Sequence, residues 1–149
     1  MKVWFASTAS LIAILIGAVF VAWSAGSSTV TYVSHDKVAA ALAKGGTLVT
    51  ASDLSVSGSH RTGPGHVEVH EKETDVFYVT DGSATFITGG TMMGGKTTKP
   101  GQMAGTEIQG GETHELTKGD VIVIRAGVPH WFKAIPQSIT YYVVKVIKQ

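Results

Sequence analysis

The stretch "GHVEVHEKETDVFYVTDG", residues 65–82, sets histidines and carboxylates into a pattern that otherwise alternates as a β-strand does. Alternate residues of a strand share one face at a spacing of about 6.6–7 Å. His66, Glu68 and His70 therefore line one side of "HVEVH", and Val67 and Val69 line the other. Four residues of strand hold His66 and His70 about 13 Å apart, so the pair that converges on one point is Glu68 with His70. "EKET" (71–74) reads as a turn. Asp75 then opens the strand "DVFYV", which is expected to return beside the first and to present Asp75 to the same interior point.

Away from that stretch the same period recurs. "TLVTASDLSVSGS" (47–59), "SATFITGG" (83–90), "DVIVIRAG" (120–127) and "ITYYVVKVIK" (139–148) all read as strands bounded by turn residues. The 18 glycines among 149 residues exceed the usual share of roughly 7% and lie between short strands, the signature of an all-β domain rich in turns. One helix interrupts it: "SHDKVAAALAKGG" (34–46) has Ser34 as N-cap, an Ala/Leu run, and Gly45 as its stop. Residues 89–111, "GGTMMGGKTTKPGQMAGTEIQGG", have no period and read as a long Gly/Thr loop of the functional or mobile kind. Within it, Met92 and Met93 either pack back on the domain as a lid or bury locally.

With 44% hydrophobic and 15% charged residues, the chain is one globular domain plus an N-terminal segment. A net charge of +1, with no Lys/Arg cluster interleaved with aromatics, argues against nucleic acid as a partner. Residues 1–27 carry one Lys, an apolar run densest from Leu11 to Ala22, and then small residues. They read as an export signal, with Ala22-x-Ser24 and Ala25-x-Ser27 as cleavage sites, so a periplasmic or secreted mature protein is expected. The alternative is an uncleaved membrane anchor from Val3 to Trp23, close to the roughly 20 residues that cross a bilayer. Residues 28–58 then supply the helix and a leading strand, and 59–149 the main domain. With no cysteine, stability must come from the core or from a metal.

A fourth candidate position comes from far along the chain. "KGDVIVIRAGVPHW" (118–131) has a turn at 118–120, a strand, a turn at Ala126 and Gly127, and then His130. This segment resembles the second motif of the cupin superfamily, G-x5-P-x-G-x2-H-x3-N, with Gly119, Gly127 and His130 in register. The opening stretch resembles the first motif, G-x5-H-x-H-x3,4-E-x6-G, with His70 on its second histidine, Asp75 on its glutamate and Gly82 on its closing glycine. The resemblance covers residues 60–145 and implies an all-β, cupin-type jelly-roll β-barrel of about six to eight strands, here preceded by one short N-terminal helix. Glu68 stands in place of the first histidine, Asp75 of the glutamate, Arg125 of the proline and Ala134 of the asparagine. Gly63 lies one residue nearer the ligand pair than the motif asks.

The resemblance implies one divalent metal ion held by Glu68, His70, Asp75 and His130. Two imidazoles with carboxylates and no thiolate suit Mn, Fe or Ni and, less well, Zn. Asp75 is one methylene shorter than glutamate. If it reaches the ion only through water, Glu68, His70 and His130 remain as a triad with open positions. The alternative is a metal-free barrel whose polar row hydrogen-bonds internally, although unpaired ionisable groups in a barrel are costly.

Phe77 follows Asp75, and Phe132 follows His130, at period two, so both wall the pocket or belong to the ordinary core. His114 shares parity with Leu116 and either enters the barrel near the site or is a hydrogen-bonded interior histidine. His35 reads as the solvated start of the helix, and His60 and Arg61, which precede the motif strand, either reach an anionic ligand or, as the preferred reading, are exposed strand-end residues. Arg125 reads as the partner of Asp120 or Glu115 rather than of a substrate carboxylate.

Three functional readings follow: a metal-dependent enzyme on a small molecule, of dioxygenase or lyase/isomerase type, with Glu68 or His114 moving a proton; a non-catalytic module binding a small ligand; and a metal-free structural cupin. The fold admits all three. The valine face of "HVEVH" and the two-sided apolar run "YYVVKV" predict a homodimer, with cover by the N-terminal helix as the competing explanation.

Overall fold

The computed structural model describes residues 30–148. The export or anchor segment, 1–27, lies outside the described residues. The helix spans the expected residues: α1 (His35–Lys44) starts after Ser34, whose side chain makes no capping hydrogen bond, and stops at Gly45, whose φ of 77° a side chain would resist. It buries Ala41 against the sheet at Gly58, where an added Cβ would lie 2.7 Å from the Ala41 carbonyl carbon. Glycine is what lets helix and strand touch there.

The strands that follow are β1 (Gly46–Thr50), β2 (Leu54–Arg61), β3 (Val67–His70), β4 (Glu73–Thr88), β5 (Thr91–Met93), β6 (Lys96–Lys99), β7 (Gln102–Gly105), β8 (Glu107–Gln109), β9 (Glu112–Thr117), β10 (Val121–Ile124), β11 (His130–Ala134) and β12 (Ile139–Ile147). Ten of them form two antiparallel layers, and β5 and β8 pair apart from these. One runs β1-β2-β12-β4-β10 and the other β9-β4-β11-β3-β7-β6. β4, 16 residues long, belongs to both: its first half pairs with β12 and β10, its second half with β9 and β11. The handover falls at Gly82, which has φ 77° and whose Cβ would lie 2.0 Å from the Ser138 carbonyl oxygen. This is the two-layer jelly roll expected from the motifs.

Several local expectations change. "TLVTASDLSVSGS" is two strands, because Ala51 N–H donates to the Leu54 carbonyl and closes a hairpin. β2 pairs with β12 from Leu54 to Arg61, so the jelly roll begins before residue 59. "DVFYV" and "SATFITGG" are one strand. β4 does not return beside β3: β11 lies between them, and Asp75 comes from the opposite layer. The segment 89–111 is not a structureless loop but carries β5 to β8, of which β7 pairs with β3 and β5 with β8.

The interior follows from alternation. Phe77, Val79, Phe86, Leu116, Phe132, Ile139 and Tyr141 are all buried in one cluster between the layers, and each fully buried large side chain stabilises the fold by about 1.5–3 kcal/mol. A second, smaller cluster joins Val67, Ile87 and Ile108, with Met92 and Trp131 packed on it. Met92 therefore buries locally and is no lid, and Val67 and Val69 are covered within the chain rather than left for a partner.

Candidate metal centre

Three strands aim ionisable side chains at one point. Glu68 and His70 share a face of β3, and His130, which opens β11, is the direct cross-strand partner of Glu68. Asp75 enters from β4 in the facing layer. His70 Nε2 lies 3.9 Å from Glu68 Oε2 and 3.5 Å from Asp75 Oδ2. His130 Nε2 lies 3.9 Å from Glu68 Oε2 and 3.8 Å from Asp75 Oδ2. The structure thus gathers all four residues singled out from the sequence. Their burial differs: the side chains of Asp75 and His130 are 3% and 4% exposed, that of His70 11%, and that of Glu68 45%.

The hydrogen bonds fix what each ring offers. His130 Nδ1 donates to the Val128 carbonyl at 3.0 Å, and since a carbonyl only accepts, Nδ1 carries the proton and Nε2 a bare lone pair. That Nε2 is buried without a hydrogen-bond partner. Burial holds the His130 pKa below the ordinary histidine value, against the opposing pull of Val128 and Asp75, so the ring is neutral. His70 is turned the same way, its Nδ1 bonded to Gln102 Oε1. The Gln102 amide then donates to Glu73 Oε1 at 2.9 Å, which sets the orientation of the amide and with it the His70 tautomer.

Two imidazoles and a carboxylate whose ligand atoms lie within 4.8 Å of one another fit one divalent ion. Atoms sharing an ion at about 2.1 Å stand about 3–3.5 Å apart, so a small contraction closes Glu68, His70 and His130 around it. The orphaned His130 nitrogen is the local sign of that fit, since a buried polar atom left unpaired is costly.

Asp75 is engaged differently. Lys145 Nζ donates to Asp75 Oδ1 and Oδ2 at 2.9 and 3.0 Å and lies 2.9 Å from Glu73 Oε2. Burial pushes the Glu73 carboxyl up, but the hydrogen bond and charge of Lys145, with His70 and Gln102, outweigh it and leave the group below the ordinary carboxylate range. A continuous network runs from His70 through Gln102, Glu73 and Lys145 to Asp75 and back to the site. Sequence reading missed Lys145, Glu73 and Gln102, though a lone lysine at the parity of Tyr141 and Val143 in an apolar strand was a visible signal.

A cavity of about 260 Å³ opens onto these groups, with Phe77 and Phe132 in its wall. Arg61, expected to be exposed, lines it too. Its Nε donates to the Tyr141 hydroxyl at 2.9 Å, and its guanidinium carbon lies 5.0 Å from the Phe132 ring centre. Burial raises the Tyr141 pKa, partly offset by Arg61, so the phenol keeps its proton. His114 does not line the cavity. It bonds Thr88 Oγ1 at 2.8 Å on β9, which pairs with the far half of β4: parity chose its face but not its distance from the site. Arg125 is exposed and makes neither expected pair, because the Asp120 carboxylate takes the Thr117 N–H at 2.7 Å and Glu115 takes the Thr85 hydroxyl at 3.0 Å.

A Bacillus halodurans protein of known structure is 16% identical over 69% of each chain, with a TM-score of 0.51. A Klebsiella pneumoniae protein with a double-stranded β-helix domain is 17% identical over 69% of this chain and 70% of its own, with a TM-score of 0.49. A DMSP lyase of Ruegeria pomeroyi is 16% identical over 69% of this chain and 42% of its own, with a TM-score of 0.47. No curated protein matches the sequence. The family model for cupins, by contrast, matches residues 23–148. With that match on a two-layer jelly roll whose facing strands gather His70, His130 and two carboxylates, the chain belongs to the cupin family.

Proposed function

We propose that the protein is an exported, metal-dependent cupin enzyme acting on a small molecule, of dioxygenase or lyase/isomerase type. One observation carries the reading: the buried His130 Nε2, without a hydrogen-bond partner, converges with His70 Nε2 and Glu68 Oε2 at the edge of a cavity. Glu68, His70 and His130 would hold one divalent ion, and their nitrogen and oxygen donors favour Mn, Fe or Ni over Zn. A metal there supplies Lewis-acid polarisation or oxygen activation. The chain supplies the rest. Val128 and Gln102 fix the two rings, Phe77 and Phe132 exclude water from one wall, and Tyr141 keeps a proton to donate. Of the two residues suggested for moving a proton, Glu68 lines the cavity and His114 does not, which favours Glu68, through the carboxylate oxygen not given to the ion.

Metal analysis of the protein cut near residue 28 tests this. The expected result is about one ion per chain in wild type and none in His70→Ala/His130→Ala, followed by turnover or oxygen consumption against phenols, diketones and sugar acids. A wild-type chain that takes up no divalent ion returns the cavity to a non-catalytic role.

Export is supported by the signal-like residues 1–27. A homodimer is supported by the outer face of the β12-β4-β10 layer, where Tyr78, Val121, Val123 and Val146 are 46–62% exposed.

A further inference from the structure

Two cations line the cavity, and they differ in what remains of their bonding capacity. Lys145 is taken up by Asp75 and Glu73. Arg61 has only its Nε engaged, with the neutral Tyr141 hydroxyl, while the Phe132 ring supports its guanidinium from below. No carboxylate of the described residues pairs with it. Gly65 leaves it room: a Cβ at that position would lie 3.0 Å from Arg61 Nη1. The Gly65 backbone is itself tied down, its N–H donating to the Phe132 carbonyl at 3.0 Å and its carbonyl accepting from Trp131 Nε1 at 2.8 Å. The terminal nitrogens are thus held in place in the cavity with their donors unused.

We propose that Arg61 is a carboxylate-binding residue and that the cavity takes a small carboxylate. A guanidinium presents paired N–H donors in a planar fork that matches a carboxylate in two parallel hydrogen bonds. The charges around the cavity agree. Glu68, Asp75 and the adjoining Glu73 contribute three negative charges, Lys145 and Arg61 two positive, and a divalent ion would leave one positive charge in excess facing the ligand. The volume of about 260 Å³ lies below the usual range for drug-sized ligands, about 300–1,000 Å³, which suits a small acid. Fixing the fork before binding removes the ordering cost a free arginine would carry. The inference rests on the cavity being the ligand site proposed above.

Calorimetric titration with acetate, pyruvate, malonate and benzoate, against acetamide, malonamide and benzamide, tests it on metal-free and Mn(II)-loaded protein. At least one acid is expected to bind about tenfold or more tighter than its amide, and Arg61→Gln to lose about tenfold or more in both metal states. Arg61→Lys, which keeps the charge without the fork, recovers at most part of the loss. Acids that bind Arg61→Gln or Arg61→Lys as tightly as wild type overturn the assignment, as does sulfate binding as tightly as the acids, or no acid binding wild type in the tens of millimolar. If the acids bind only loaded protein and Arg61→Gln leaves that binding intact, the metal holds the carboxylate, and the Arg61 assignment falls while the metal reading stands. If no metal is taken up, that reading falls alone, because the metal-free arm still measures Arg61.

Discussion

Lys145 and Asp75 are cross-strand neighbours on β12 and β4, and the lysine ammonium donates to both carboxylate oxygens of the aspartate, at 2.9 and 3.0 Å. Asp75 is 2% exposed, so its charge has little water to compensate it. Lys145→Met is expected to destabilise the domain by about 3 kcal/mol, as does breaking other buried pairs. Lys145→Met/Asp75→Asn should recover most of that loss. Denaturant titration of the two variants checks this, and a double variant no more stable than the single one would show that Lys145 acts through packing.

The same pairing separates direct ligands from supporting residues. His70→Ala and His130→Ala are each expected to abolish metal uptake, whereas Asp75→Asn should weaken it by about 10- to 100-fold, the scale of outer-shell changes. Competition with a chelating dye measures both. Abolition by Asp75→Asn would make Asp75 a direct ligand.

pH acts through His130 first. Its folded pKa is depressed by burial, so as pH falls below about 6.5 the unfolded chain takes up a proton that the folded chain refuses. The corresponding stability is present above that value and lost on acidification. Unfolding midpoints of metal-free protein should therefore drop from about pH 7 to 5, and less so in His130→Phe. Metal affinity should also weaken on acidification, since the ligands must give up protons to bind, and the depressed His130 pKa delays its share of that loss to lower pH. Flat behaviour from about pH 8 to 5 would contradict both. Glu73, also depressed, adds its loss separately, at pH values below about 4.5.

Assembly is read by light scattering. Val123 is 51% exposed on the outer face of the β12-β4-β10 layer, so Val123→Asp should convert a dimer to monomer with little change in unfolding midpoint. Wild-type protein that stays monomeric at high concentration would overturn the pairing. Cover by α1 would then be confined to the part of the layer it packs on, around Gly58 of β2.

Much of this was legible in the residues. Period-two alternation placed Glu68 with His70 on one face and Val67 with Val69 on the other, because side-chain direction in a strand is a local property of the backbone. Motif spacing marked Asp75 and His130, and the caps marked α1 to the residue. Parity also placed Phe77 and Phe132 facing the cavity. It failed at His114, which has the right face but lies on β9, too far along the barrel.

The sequence by itself determined the alternation that turns Glu68, His70, Phe77 and Phe132 to the cavity, the bounds of α1, and which residue types could meet a metal. Tertiary structure alone decided that Lys145 stands opposite Asp75, that Arg61 folds over Phe132 into the cavity, that residues 89–111 add strands over Val67, and that β4 crosses from one layer to the other at Gly82. The physical reason is range. Alternation and capping are set by bonds within a few residues, whereas register between β12 and β4 joins positions 70 apart, fixed only when the whole apolar interior closes and each strand has settled the pairing of the next.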